Sequence, residues 1–378
     1  MLTVRETAEL LTGSDYDNIL ILTHIRPDGD TIGCAAALCA GLRRLGKHAY
    51  MLPNPGLTEH MKPYCELYEL PEDYPPERII SAGNAEENPE ANPETPEESP
   101  EENPDEIILD KNPDENPEAD LESGEEWIFK PGKKIKIISV DIATENLFPK
   151  NAEMYKGRVD LAIDHHPSFE EFGKNNIVRP DAAACGELLY DILCAMGRIT
   201  PEIALPLYVA IATDCGCFAY NNTTAHTHSV ASALMRTGID YQTVNKIFFR
   251  TKSRIRMQLE AAMLQDAIFC DQNRIVILSV PLSLTRGMNA TESDLEELSS
   301  LGGQIEGVDC AVTMRELEPD VWKFSLRTGK RINATEACKL LGGGGHAAAA
   351  GCTIRGASYE EARARMLRAI VRVSDAQI

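Results

Sequence analysis

The sequence predicts an α/β protein of two domains: an N-terminal, mostly parallel sheet flanked by helices, then a smaller C-terminal α/β domain. Three observations carry this. Short apolar runs rich in branched residues alternate with helical patterns, which is how the strands and crossover helices of a parallel sheet read. Two of the N-terminal runs lead straight into an aspartate, as expected where ligands gather beyond the carboxyl ends of parallel strands. At 378 residues, 43% of them hydrophobic, the chain has material for two or three domains, each with its own core.

The elements follow in order. Asn18 to Thr23 (NILILT) is a strand pattern, then comes the loop HIRPDGD and a small-residue helical pattern from Thr31 to Leu45 that stops at Gly46. His48 to Leu52 reads as the next strand. Lys136 to Val140 and Asp160 to Ile163 read as buried strands running into Asp141 and Asp164, with helical patterns at Cys185 to Met196 and Ile203 to Ala212. A charged helical stretch, Tyr241 to Ala267, serves as connector. Beyond it, strands at Arg274 to Val280, Asp309 to Met314 and Val321 to Leu326 alternate with helices at Glu292 to Ser300, Ala334 to Leu341 and Tyr359 to Val373. The expected organisation is a domain over 1–240, a helical connector over 241–270 and a second domain over 271–378.

The formal charge of -22, from 59 acidic and 37 basic side chains, is concentrated in one place. From Asn84 to Asp120 there are fifteen Asp or Glu, one Lys and seven prolines, so this stretch contributes -14 and the rest of the chain about -8. With almost nothing apolar, it cannot bury enough surface to offset its ordering entropy. It reads as a flexible, solvated insertion over 83–126 whose deletion is expected to leave function largely unchanged. Eleven scattered cysteines without a CxxC pair argue against a zinc ribbon and a disulfide framework. No run of about 18 apolar residues exists, and the N-terminus carries acids where a signal peptide would be apolar. The expectation is a cytoplasmic protein with no membrane partner.

Five elements stand out chemically: His24, Asp28 and Asp30 in H-x-x-x-D-x-D; Asp141 after a strand; Asp164-His165-His166 after another; and Asp214 in IATDCG. Taken singly each has a structural explanation, as a helix N-cap, a loop-turning residue or a packed histidine. Together they are a cluster of acids that is costly without cations. Carboxylate oxygens and imidazole nitrogens are the donors a hard divalent ion such as Mn2+ takes, and two such ions share at least one carboxylate. Asp28 and Asp30, either side of Gly29, can address neighbouring ions. A metal pair makes hydroxide available at neutral pH and clamps a phosphoryl group during transfer.

The order H-x-x-x-D-x-D, D, D-H-H, D resembles the DHH phosphoesterase superfamily. ATDCGCFAYNNTT is similar to its TD-x-G-x-F-x-Y segment, and FSLRT followed by GGGGHAAAAG is similar to its DHH-associated C-terminal domain. Length and C-terminal motifs look most like the bifunctional oligoribonuclease and 3′-phosphoadenosine-5′-phosphate phosphatase (nanoRNase) type. The resemblance spans the chain apart from the insertion. It implies two Mn2+, with Mg2+ or Co2+ able to substitute, and an active site in the cleft between the domains. His24, Asp28 and Asp141 would hold one ion and Asp30, Asp141, His165 and Asp214 the other, with Asp141 bridging. His166 would face the substrate phosphate and Asp164 would orient its neighbours. Cys34 and Cys185 depart from the family, standing where a hydroxyl residue is more usual.

In the C-terminal motif, Gly342 to Gly345 leave backbone N–H groups accessible, His346 adds a donor, and the alanine run is expected to begin a helix whose N-terminus attracts anions. With Arg315 and Arg327 nearby, Gly343, Gly344, Gly345 and His346 read as a pocket for the substrate's far phosphate. Met288 and Asn289 read as ordinary loop residues, and His226 and His228 as exposed or capping-adjacent, with a substrate role left open by their proximity to Asp214. The expected substrates are short RNA or phosphoadenosine phosphate, hydrolysed to mononucleotides or AMP; a charge of about -8 outside the insertion excludes long duplex nucleic acid. Competing readings are a linear dinucleotide (pApA-type) hydrolase, a single-strand exonuclease, a pyrophosphatase or polyphosphatase, and a catalytically silent nucleotide-binding module. A homodimer is left open.

Overall fold

In the computed structural model, β1 is buried along its whole length, and everything that positions the site is arranged around it. The structure describes residues 1–71, 74, 128–295, 298–329 and 331–375, so the acidic insertion lies outside the described residues. The first unit, Met1–Phe249, comprises α1 (Val4–Thr12), β1 (Asn18–Leu22), α2 (Gly29–Arg44), β2 (His48–Met51), β3 (Ile135–Val140), β4 (Leu161–Asp164), β5 (Asn175–Val178), α3 (Cys185–Met196), α4 (Pro201–Asp214) and α5 (Ala225–Met235). Its sheet is wholly parallel, in the order β2-β1-β3-β4-β5. Ile19 and Ile21 of β1 face a core shared with α2, α3 and α4; Leu20 and Leu22 face a second core closed by Phe129, Phe148 and Tyr155. Burial on both faces is why these strands read as continuous apolar runs.

Close packing of α2 on its neighbours depends on glycine. A Cβ on Gly33 would lie 2.3 Å from the Pro206 carbonyl oxygen, one on Gly29 2.3 Å from Thr213 Oγ1, and one on Gly41 2.5 Å from a Leu193 methyl. Gly29, Gly33 and Gly41, spaced by four and eight residues, share one helix face. The contact of Gly29 with Thr213 sets the start of α2 beside the end of α4, where Asp214 sits.

The charged helical stretch resolves into two helices, α6 (Tyr241–Arg250) and α7 (Arg254–Gln265), interrupted at 251–253. Ser253 accepts the Arg256 N–H at 2.9 Å and caps α7. Val244 and Phe248 of α6 pack into the first unit's core, whereas Leu259 and Met263 of α7 belong to a core of the second, so the division between units falls at Phe249 and Arg250. The second unit continues with β6 (Ile268–Cys270), β7 (Ile275–Val280), α8 (Leu282–Gly287), α9 (Glu292–Leu295), β8 (Cys310–Glu318), β9 (Val321–Thr328), α10 (Ala334–Lys339), β10 (Gly344–His346), β11 (Ala349–Arg355) and α11 (Tyr359–Asp375). The sheet order is β10-β11-β9-β8-β7-β6, with β7 and β8 parallel and the remaining pairs antiparallel. Where a helix is expected over Glu292 to Ser300, the described residues form the short α9 and a 3-10 turn at Leu298–Gln304.

The alanine run does not begin a helix. Residues Gly344–His346 and Ala349–Arg355 form an antiparallel hairpin, and β11 pairs with β9 along its length. Alanine's helix preference loses to tertiary context here: Ala350, Cys352 and Ile354 are buried at a period of two, the strand pattern, against Phe324 and Leu326. No helix among the described residues is long and apolar enough to cross a membrane.

Candidate metal centre

The site collects at the carboxyl ends of β1, β3 and β4 and at the facing ends of α2 and α4. Asp28 is the N-cap of α2: its Oδ1 accepts the N–H of Asp30 at 3.0 Å and of Thr31 at 3.1 Å. The other oxygen, Oδ2, lies 3.6 Å from His24 Nε2. Capping and ligation are thus compatible, one oxygen each.

Asp30 points the opposite way and is buried. Helix α3 has Ala184 at its N-cap and no side-chain cap of its own; the Asp30 carboxylate supplies one from α2, accepting the N–H of Cys185 at 2.7 Å and of Gly186 at 3.0 Å. The Cys34 thiol donates to the same carboxylate at 3.2 Å, so both family departures, expected to touch no proposed ligand, meet Asp30, Cys34 through its thiol and Cys185 through its N–H.

Asp141 sits at the centre. It follows β3 with a left-handed φ of 58°, a conformation a non-glycine residue holds only when its surroundings enforce it. Its N–H donates to the Ile163 carbonyl at 2.9 Å, and Thr31 Oγ1 ties the preceding Val140 carbonyl to α2 at 3.1 Å. The turn aims its two oxygens at different partners. Oδ2 lies 3.6 Å from His24 Nε2, and Oδ1 lies 3.5 Å from His165 Nε2 and 3.6 Å from His166 Nδ1. Three groups could each hold a cation: His24, Asp28 and Asp141; Asp30, His165 and Asp214; and Asp141, His165 and His166.

The residues present fit divalent cations. The Asp141 Oδ1 is buried without a hydrogen-bond partner. Burial and the charges of Asp214 and Asp28 push Asp30 well above the carboxylate range; burial and the charges of Asp30, Asp28, Asp164 and Asp214 do the same to Asp141. Burial and Asp28 push Asp214 up to about 7. His165 Nδ1 lies 3.2 Å from the Ala182 carbonyl, the arrangement of an N–H donor, which leaves the Nε2 lone pair among carboxylate oxygens of Asp30, Asp141 and Asp214 at 3.5–3.7 Å. Burial and neighbouring His166 lower the pKa of His165, disfavouring a proton as the bridge. Lone pairs and acids converging on one point call for a cation between them.

Asp164, the buried last residue of β4, accepts the His165 N–H at 2.7 Å and His166 Nδ1 at 2.8 Å. Burial works against a charged His166, but the hydrogen bond and charge of Asp164 more than reverse this and raise its pKa. Three supporting residues carried no signal in the sequence, because each reaches the site through a contact distant along the chain. Buried Asn54 donates to Thr23 Oγ1 and to the His24 carbonyl, both at 2.8 Å. Thr31 has been described, and Asn222 donates to the carbonyls of Ala183 at 2.9 Å and Asp214 at 3.1 Å. His226 instead lies 3.7 Å from Asp191, and the His228 ring stacks on Phe218 at 5.2 Å.

In the second unit, Ala311, Arg327, Ala349 and His346 are paired in turn across β8, β9, β11 and β10, so Arg327 and His346 share a sheet face. Arg315 lies on that face four residues along β8, where Glu292 binds its guanidinium through Nη1 at 3.0 Å and Nη2 at 2.5 Å. The glycines serve packing as well. A Cβ on Gly343 would lie 2.2 Å from the Gly351 carbonyl, and Gly345 has a φ of 140°. The N–H groups of Gly342 and Gly343 are already donated to Lys339 and Cys338 at 3.1 and 2.8 Å, so the loop is less open to an anion than its composition implies.

Comparison with known proteins agrees with this geometry. The chain is 27% identical to the bifunctional oligoribonuclease and PAP phosphatase NrnA of Thermus thermophilus, over 97% of this chain and 93% of that one. It is 24% identical to the protein of the same name from Bacillus subtilis, over 94% and 95%. An exopolyphosphatase-related protein from Bacteroides fragilis has the same fold, with a TM-score of 0.77 at 20% identity over 99% of this chain and 98% of that one. Residues 18–211 match the DHH family N-terminal domain and residues 273–373 the DHHA1 domain. The chain therefore belongs to the DHH family, its first unit carrying the DHH domain and its second the DHHA1 domain.

Proposed function

We propose that the protein is a metal-dependent phosphoesterase that hydrolyses short oligoribonucleotides to mononucleotides and 3′-phosphoadenosine-5′-phosphate to AMP. The observation that carries this is Asp141, whose strained backbone presents one oxygen to each of two neighbouring groups of donors. In this reading His24, Asp28 and Asp141 hold one divalent cation and Asp30, Asp141, His165 and Asp214 a second. Divalent cations, Mn2+ first, supply the positive charge that draws in phosphoryl oxygens and make hydroxide available at neutral pH. The protein's own groups do the rest. Asp164 accepts from Nδ1 of His166 and raises its pKa, and the imidazolium so favoured has its Nε2–H left as a donor to a phosphoryl oxygen. Asp30 ties the first turn of α2 to the start of α3, and Asn54 ties down Thr23 and His24 just beyond β1, which limits reorganisation during transfer. Arg327 and His346 supply positive or polar donors for the substrate's far phosphate. The names of the Thermus and Bacillus relatives support the substrate class.

The test is a comparison of rates in Mn2+ on two-nucleotide RNA, a longer RNA, a linear pApA-type dinucleotide, phosphoadenosine phosphate and pyrophosphate. Fastest turnover of two-nucleotide RNA and phosphoadenosine phosphate is expected. Preference for pyrophosphate, or Mn2+ binding without turnover of any substrate, would overturn the proposal.

A further inference from the structure

We propose that Thr31 is the positioning residue that makes Asp141 a bridge, fixing its carboxylate between the two groups of donors before any cation is bound; this rests on the two-cation reading of the centre. The peptide unit between Val140 and Asp141 is pinned at both of its polar ends. Its N–H donates to the Ile163 carbonyl of β4 at 2.9 Å, and its carbonyl accepts the Thr31 hydroxyl of α2 at 3.1 Å. With that plane fastened from two sides, Asp141 is held at its left-handed φ of 58°, a conformation that persists only under such constraint. In this posture one carboxylate oxygen faces His24 and the other faces His165.

A threonine hydroxyl within a helix commonly turns back to a carbonyl three or four residues earlier. That of Thr31 instead reaches a carbonyl 109 residues along the chain. The same residue donates its N–H to Asp28 Oδ1 at 3.1 Å, so it bears on two of the donors at once. The second oxygens of these two aspartates, Asp28 Oδ2 and Asp141 Oδ2, each lie 3.6 Å from His24 Nε2. Thr31 and Val140 are wholly buried, so bulk solvent does not reach the hydrogen bond between them. Removing the hydroxyl while keeping the shape leaves a buried carbonyl without its donor and lets the turn relax towards the ordinary β region. Asp30, by contrast, is anchored to the N–H groups of Cys185 and Gly186 on α3. The carboxylates of α2 would therefore stay in place while that of Asp141 moved, and the shared ligand is what would be lost.

The test needs no turnover: the metal-free full chain is titrated with Mn2+ to two ions per molecule and read by electron paramagnetic resonance and calorimetry. Wild type should show the exchange-coupled signal of a carboxylate-bridged pair. Thr31→Val, which keeps the shape and removes the donor, should show isolated ions, with the weaker of the two affinities lowered on the order of 10- to 100-fold. Thr31→Ser, which keeps the hydroxyl, should restore both the coupled signal and the affinity. A merely structural threonine would lower the melting temperature without dividing the variants in this way. Thr31→Ala takes the place of the valine variant if that one fails to fold, with the same result expected. The coupled signal at wild-type strength in the folded valine or alanine variant, or isolated ions in folded Thr31→Ser, overturns the proposal and leaves the two-cation reading standing. Isolated ions or a single bound ion in wild type defeats the two-cation reading itself, and this proposal with it.

Discussion

In the first unit the functional charges are acids crowded where water is scarce, and in the second they are cations spread over a sheet face. Asp30, Asp141 and Asp164 are almost wholly buried, and their hydrogen bonds come from backbone N–H groups, a thiol and histidines rather than from lysine or arginine. Arg315 is met by an exposed glutamate, and His346 stands in the open at the sheet edge. The difference teaches where a cation has most to offer. Buried like charges are poorly screened by solvent, so the acids of the first unit call for cations, whereas the half-buried arginines and exposed His346 of the second are closer to water and suited to graded affinity.

The sharpest way to break this comparison is Asp141→Ala, which removes the carboxylate facing both groups of donors. Turnover of two-nucleotide RNA should fall on the order of 10³-fold or more, with the circular dichroism spectrum retained. Full activity would show that the two groups do not act as one centre.

Removal of metal should follow in size. Asp30 and Asp141 are held well above the carboxylate range and Asp214 at about 7 by burial and neighbouring acids. Acids with raised pKa values bind more protons folded than unfolded, so their contribution to stability is lost as pH rises from about 4, the unfolded value, through about 7. In chelator, the melting temperature should fall between pH 5.5 and pH 8 by on the order of 5 °C. Excess Mn2+ should cancel or invert this slope, because cations bind the ionised form. A pH-independent melting temperature in chelator would mean that the acids are not crowded as described.

The second unit should respond more mildly. Arg327→Ala is expected to raise KM for two-nucleotide RNA about tenfold with kcat little changed, and to weaken the dependence of KM on salt. An equal fall in kcat would move Arg327 from holding substrate to the chemistry itself. The smallest effect is expected from deleting 83–126, which should leave the rate on short substrates within about twofold; a large loss would give the acidic segment a functional role.

Much of the site was legible locally. Strands β1, β3 and β4 announce themselves as apolar runs, and the acids that follow them stand where a parallel sheet exposes its ligands. Other features were not. Strand β5, only Asn175–Val178 with two asparagines, is too short and polar to show a period. The alanines after His346 favour a helix locally, and only pairing with β9 makes them a strand. Glu292 lies 23 residues from Arg315, and nothing in either segment marks the pair.

The sequence by itself determined which residue types are available and in what order: a histidine, paired aspartates, a lone aspartate, the D-H-H triplet, a further aspartate and a glycine-rich segment. That is a local matter, since strand and helix periods and loop composition are set by near neighbours. Only the tertiary structure decided what each atom does: that Asp28 caps with one oxygen and faces His24 with the other, that Asp30 caps a helix 155 residues away, and that Asp141 divides its oxygens between two groups. These assignments depend on helices brought together at glycines and on a backbone turned into a disfavoured region. Both are properties of packing between distant segments, to which no local pattern is sensitive.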